Sequence, residues 1–253
     1  MFLEIEMLLF LIVSGFVAAF IDASVGGGGM ISIPALMWAG LPPVSVLGTN
    51  KVAAVMGAIS SFITFIRSGK MDVALVKKLF PISLIGSFIG VVLVQQIDSA
   101  FLRPLIIVML ILVFIYSLLK KDWGRDSVAQ EITGKKLVLC MLLSLTLGFY
   151  DGFFGPGTGS FLLFGFIWIG FDFIGATANA KALNFASNLA AAILFSYMGA
   201  VDFSYAIPMG LSMIAGAIAG SKMALSKGVT YIRPMFIIVT AVLIGKQLMT
   251  MLG

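Results

Sequence analysis

The chain contains predominantly apolar runs at 44–66, 76–97, 101–119, 176–197, 203–225 and 232–252, each close to the roughly 20 residues that a helix needs to cross a bilayer. Such runs leave the backbone little choice. Lipid offers no water to an exposed amide, so each run is expected to close its hydrogen bonds internally as an α-helix. Composition agrees: 60% of the 253 residues are hydrophobic, 11% are charged, and the mean hydropathy is +1.14, well outside soluble usage. The expected fold class is an all-α polytopic membrane protein.

Several kinds of chemistry lack the residues they need. Histidine is absent, which removes the usual proton shuttle near neutral pH and the commonest metal ligand, so no metal or other cofactor is expected. The single cysteine, Cys140, lies in an apolar run, where packing is its ordinary role, and it has no partner for a disulfide within the chain. The net charge of +5 comes from lysine and arginine gathered between apolar runs, a pattern that sets membrane orientation and does not point to nucleic acid. Glu4 and Glu6 precede the first apolar run without a basic residue, so a cleaved leader is not expected.

Two stretches interrupt the apolar pattern. Asp22 is followed by Gly26-Gly27-Gly28-Gly29 and then by Thr49-Asn50-Lys51, and Asp151 is followed by Gly155-Pro156-Gly157 and then by Asn179-Ala180-Lys181. Around the first break, 8–23 goes most of the way across a bilayer and 30–38 is too short to span. Around the second, 136–150 and 160–169 repeat the arrangement. Each is expected to be a broken or re-entrant helix pair, because unwound backbone at membrane depth survives only inside protein or beside a wet cavity.

The second half repeats the first at a shift of about 130 positions. Gly40 falls on Gly170, Lys51 on Lys181, Gly69 and Asp72 on Gly199 and Asp202, and Gly86 and Gly90 on Gly216 and Gly220. Arg103-Pro104 likewise falls on Arg233-Pro234. Asp22 meets Asp151 one residue short of that shift, as an insertion within the glycine-rich break would produce. The loop holding Arg67, Lys70, Lys77 and Lys78 has a counterpart around 199–204 without a base, whereas the next loop is basic only in the second copy, at Lys222, Lys227 and Arg233. Equivalent loops are therefore expected on opposite membrane faces, making two inverted-topology repeats, each with a glycine-rich pair plus three spanning helices. The first repeat is placed at 1–119, a cytoplasmic linker at 120–136 and the second repeat at 137–253, with both termini outside.

The broken pairs and the buried charges mark the candidate site. Lys51 and Lys181 each cost about 2.5 to 3.5 kcal/mol in hydrocarbon, so each must face an anionic ligand, pair with Asp22 or Asp151, or snorkel from a helix end. Asp22 and Asp151 either cap the N–H groups that follow or carry a coupling proton. Thr177, Lys181, Asn184 and Asn188 share one helical face, whereas Leu47, Ala54 and Ala58 surround Lys51 with apolar or small groups. The second repeat is thus expected to contribute more to specificity. The substrate-binding set comprises Lys51, Lys181, Asn50, Thr49, Thr177, Asn184, Asn188, Gly27, Gly28 and Gly157, with Asp22 and Asp151 as coupling residues.

These motifs, from Phe20-Ile21-Asp22 and Thr49-Asn50-Lys51 to Tyr150-Asp151-Gly152 and Ala178-Asn179-Ala180-Lys181, resemble the sulfite exporter TauE/SafE family of bacterial inner-membrane transporters over essentially the whole chain. The resemblance implies transport of small sulfur-containing anions such as sulfite or sulfonates. Asn179 departs from it, standing where the resemblance leads one to expect histidine in several members, and it has no titrating side chain for a proton-transfer role.

The leading function is a secondary transporter of a small anion, working by alternating access. A passive channel and a membrane-embedded enzyme are the alternatives; the enzyme has only Gly157-Thr158-Gly159-Ser160 in its favour, and no phosphate loop supports direct ATP drive. Expected partners are the small anion, the lipid bilayer and a second copy in a homodimer, with no nucleic acid. Reporter fusions test the topology: one after Gly124 should report cytoplasm, and fusions at Gly199 and at the C-terminus should report the outer side. A cytoplasmic Gly199 would sink the inverted arrangement.

Overall fold

Backbone pairing in lipid dictates helices, and among the described residues the chain is helical throughout, without a strand. The computed structural model describes residues 5–119 and 134–227, with Ile132, Ala241 and Met249 as isolated positions. The expected helix at 232–252, the pair Arg233-Pro234 and most of the 120–136 linker lie outside the described residues.

The first half supplies α1 (Ile5–Val25), α2 (Gly29–Trp38), α3 (Pro43–Arg67), α4 (Val73–Val94) and α5 (Ser99–Leu119). The second half supplies α6 (Lys135–Phe153), α7 (Thr158–Ile169), α8 (Phe173–Tyr197) and α9 (Phe203–Lys227). Six of these, α1, α3, α4, α5, α6 and α9, are long and apolar enough to cross a membrane. Two expectations shift. The helix α1 continues to Val25 and is itself of spanning length, and α8, although as long as α3, falls outside the six because polar side chains interrupt its apolar character.

Local chemistry sets the boundaries. Pro43 opens α3 at a position where its missing N–H costs nothing. Asp72 caps α4 by accepting from Leu75 N–H at 2.9 Å, and Asp202 accepts from Ser204 N–H at 3.0 Å. At the breaks the chain turns through Gly26 and Gly27 at φ 79° and 93° and through Gly155 and Gly157 at φ 101° and 83°. A residue with a Cβ is strained there, so each break needs its glycines.

The two halves interlock. Helix α1 packs along α9 and α4 along α6, while α3 lies against both α8 and α9. The contacts correspond from copy to copy. A Cβ on Gly86 or Gly90 would lie 2.3 or 2.2 Å from the carbonyl oxygens of Leu145 and Phe149, and one on Gly216 or Gly220 would lie 2.2 or 2.1 Å from those of Phe16 and Phe20. Asp72 N–H donates to Asn179 Oδ1 at 3.0 Å, and at the repeat-related place Asp202 N–H donates to Thr49 Oγ1 at 2.9 Å. Outward faces are apolar, with Leu9 and Val13 on α1, Ile85 and Phe88 on α4, and Val108 and Leu112 on α5 exposed. Trp168 and Tyr197 are exposed at the ends of α7 and α8, where interfacial aromatics anchor a helix.

Gly90→Ala and Gly220→Ala should each lower stability. Alanine gains up to about 1 kcal/mol of helix propensity over glycine, but forcing a methyl onto a neighbouring backbone carbonyl costs roughly 1–3 kcal/mol or more. Thermal unfolding in detergent reads the result, and an unchanged midpoint in both variants would contradict these helix contacts.

Candidate functional site

The site is assembled from helix ends. The last turn of α1 carries Asp22 and the last turn of α6 carries Asp151, at the ends where the helix dipole is negative and a carboxylate is least welcome. Each is met by a lysine from the opposite half. Lys51 Nζ of α3 lies 2.8 Å from Asp151 Oδ1, and Lys181 Nζ of α8 lies 2.9 Å from Asp22 Oδ2. Lys181 also donates to the Asp22 carbonyl oxygen, so one ammonium serves both the carboxylate and the end of α1. The remaining carboxylate oxygens are occupied as well. Asp22 Oδ1 accepts from Gly28 N–H at 3.1 Å, and Asp151 Oδ2 accepts from Ser187 Oγ. Of the roles left open by the sequence, the lysines are thus ion-paired, and Asp22 also acts as a cap.

The two breaks meet back to back. Ser160 Oγ, at the start of α7, donates to Val25 carbonyl oxygen at the end of α1 at 2.9 Å. A Cβ on Gly26 would lie 2.1 Å from Ser160 N, and one on Gly155 would lie 2.7 Å from Lys51 Nζ. Side chains there would push the breaks apart and close the space around the lysine.

A cavity with about 500 Å³ of empty space, including the part continuous with its mouth, opens beside these groups. The first residues of both short helices face it, Gly28 and Gly29 for α2, and Gly157, Thr158 and Gly159 for α7. The leading N–H groups of a helix lack intrahelical partners and carry the positive end of its dipole. Lys51, Asn50, Ser32, Asn184 and Asn188 add side chains to the lining. Ser32 Oγ donates to Asn50 Oδ1, which turns the Asn50 amide N–H₂ away from that bond, and Asn188 donates to Asn184 carbonyl oxygen at 2.7 Å. The Asn184 side-chain amide is 6% exposed and lines the cavity without a hydrogen bond among the described residues.

Nine of the residues singled out by sequence are brought together at this lining: Asp22, Gly27, Gly28, Asn50, Lys51, Asp151, Gly157, Asn184 and Asn188. Lys181 stands behind Asp22. Thr49 is buried against Asp202 N–H, and Thr177 donates to Phe173 carbonyl oxygen at 2.7 Å, so neither faces the cavity. Sequence reasoning passed over Ser187 and Ser32. Ser187 lies three residues after Asn184, a spacing that already pointed to the polar face; nothing in the sequence pointed to Ser32.

A model of the family described as sulfite exporter TauE/SafE matches residues 11–246. The chain belongs to this family of membrane transporters. A "Probable membrane transporter protein ORF9" of Sinorhizobium sp is 38% identical over 245 residues, spanning 95% of this chain and 92% of the relative. A "Probable membrane transporter protein" of Haemophilus influenzae is 38% identical over 244 residues, with 96% and 95% covered. "Probable membrane transporter protein YfcA" of Escherichia coli K12 is 39% identical over 232 residues, with 91% and 86% covered. No solved structure matches the chain. This TauE/SafE protein is therefore a multi-pass membrane protein with its polar centre at the two helix breaks.

Unequal burial of the two pairs sets the next expectation. Lys51 and Asp151 are each 2% exposed, whereas Asp22 is 24% exposed and keeps Gly28 N–H as a partner. Lys51→Met should cost about 3–5 kcal/mol by stranding a buried carboxylate, and Asp151→Asn should restore most of it. Lys181→Met should cost less. Equal losses in the two lysine variants, measured by unfolding in detergent, would contradict this arrangement.

Proposed function

We propose that the protein is a secondary transporter that carries a small anion across the bacterial inner membrane by alternating access between two inverted repeats. The observation that carries this reading is the cavity faced by the starts of α2 and α7 and flanked by two lysine–aspartate pairs exchanged between the halves. Helix N-termini, amide N–H₂ groups and the Lys51 ammonium are the donors an anion needs, gathered where water is scarce. The inverted relation is supported by the reversal of loop charge and by the copy-to-copy correspondence of the helix contacts and of the Asn179 and Thr49 bonds.

The charges at the centre balance, two ammonium groups against two carboxylates. An incoming anion must therefore take over a lysine that a carboxylate now holds. Protonation of that carboxylate releases the lysine without leaving a bare buried charge, which couples anion binding to a proton. The family description favours a sulfur-containing anion, sulfite or a sulfonate, as the cargo.

Transport into proteoliposomes tests the proposal. The wild type should accumulate anion against its gradient when a pH gradient is imposed, which a passive channel cannot do. Asp22→Asn should keep anion binding and lose the dependence on the pH gradient, since asparagine still accepts the Gly28 N–H but does not titrate. Proton dependence unaltered in Asp22→Asn, Asp151→Asn and the double variant would reject the coupling role.

A further inference from the structure

The cavity has two chemically different sides. Beyond the Lys51 ammonium and the glycines of the breaks, its lining continues along α3 and α9 through Ala54, Gly57, Ala58, Met213 and Ala217. Ala18 and Ala19 of α1 extend the same wall. These residues converge: a Cβ on Gly57 would lie 3.2 Å from Met213 Cβ and 3.5 Å from Ala19 Cβ. Ser61, farther along α3, is the one polar side chain on this side.

The wall is specific to one side of the cavity. At the shift that relates the repeats, Ala54 corresponds to Asn184, Gly57 to Ser187, Ala58 to Asn188, Met213 to Ser83 and Ala217 to Ser87. Every one of these five apolar positions has a polar counterpart. On that other side the polar groups are largely consumed: Ser83 Oγ donates to Leu183 carbonyl oxygen at 3.0 Å, Ser87 Oγ to Ser187 carbonyl oxygen at 2.6 Å, and Ser187 Oγ to Asp151.

An inorganic oxyanion presents acceptors in all directions, and the methyl and thioether wall leaves those that face it unsatisfied. Water does no better there, because an ordered water needs two to four polar partners. An anion with a hydrocarbon end fits both sides. Its head meets the helix N-termini and Asn184, and its tail takes the wall. We infer that this site selects a short-chain organic anion, an alkyl sulfonate or carboxylate with an apolar tail, over inorganic sulfite or sulfate; the inference rests on the anion-binding reading above.

Binding to the detergent-solubilised protein would be measured by calorimetry for sulfite, sulfate, methane-, ethane-, propane- and butanesulfonate, with the matching carboxylates as a second series. Affinity should rise about four-fold per methylene, from the transfer free energy of a buried CH₂, until the wall is filled, with sulfite and sulfate the weakest. Ala54→Asn together with Ala58→Asn, which gives the wall the polarity of its counterpart, should flatten that dependence. A flat chain-length dependence in the wild type, or sulfite binding tighter than every organic anion, overturns the selection for an apolar tail and leaves the anion site standing. Binding of none of these anions overturns both readings.

Discussion

Two ammonium groups and two carboxylates have been taken out of water at the centre of this protein, and an isolated ion in that position costs several kcal/mol. Each is tolerable only with its partner within hydrogen-bond reach and its remaining valences met. Asp151 is completed by Ser187, Asp22 by Gly28 N–H and Lys181 by the α1 carbonyl end, while Lys51 also lines the cavity. Because each partner comes from the other half, neither half can satisfy its own charges. The interlocking of α1 with α9 and of α4 with α6 follows the same logic, since the halves must stay in register for both pairs to close.

Glycine makes that register attainable. Hydrophobicity gives no net drive between helices already in lipid, so association relies on close packing and polar contacts. Gly86, Gly90, Gly216 and Gly220 let helix backbones approach until a methyl would touch a carbonyl of the next helix, Gly26 and Gly159 let the broken ends meet, and Gly155 leaves room for the Lys51 ammonium. The breaks bring two helix C-termini with their aspartates and two helix N-termini to one place. A continuous helix offers neither at membrane depth.

Much of this was legible in the sequence because lipid enforces simple rules. Run lengths placed the helices of the described residues within a few positions, the glycine stretches placed the breaks, and nine candidate residues do line one cavity. The extension of α1 to Val25 was not legible, since nothing local distinguishes the last residues of a helix from the start of a glycine turn. Nor was the exchange of partners. Lys51 is nearer in sequence to Asp22 than to Asp151, yet it pairs with Asp151, because the pairing depends on how the halves pack and not on spacing within either one. Thr177 sits on the predicted polar face but bonds the Phe173 carbonyl oxygen of its own helix, a choice that periodicity cannot separate from ligand binding, and Thr49 serves the Asp202 N–H of the other half.

The two charge pairs are chemically alike but unequally buried, with Asp22 at 24% exposure and Asp151 at 2%. Two explanations of that difference are physically distinct. Residue identity is one: Ser187 covers Asp151, and its counterpart at the repeat shift is Gly57, which brings no hydroxyl to Asp22. Conformation is the other: under the proposed alternating access, one side of the site would be open in a given state and the pair beside it would be the more exposed. Exchanging the packing of the halves would bury Asp22 and uncover Asp151. The serines that tie α4 to α8, Ser83 and Ser87, would then lose their carbonyl acceptors Leu183 and Ser187. Their counterparts Met213 and Ala217 have no such bonds to form, so under that proposal the two closed states would be held by different forces, hydrogen bonds on one side and apolar packing on the other.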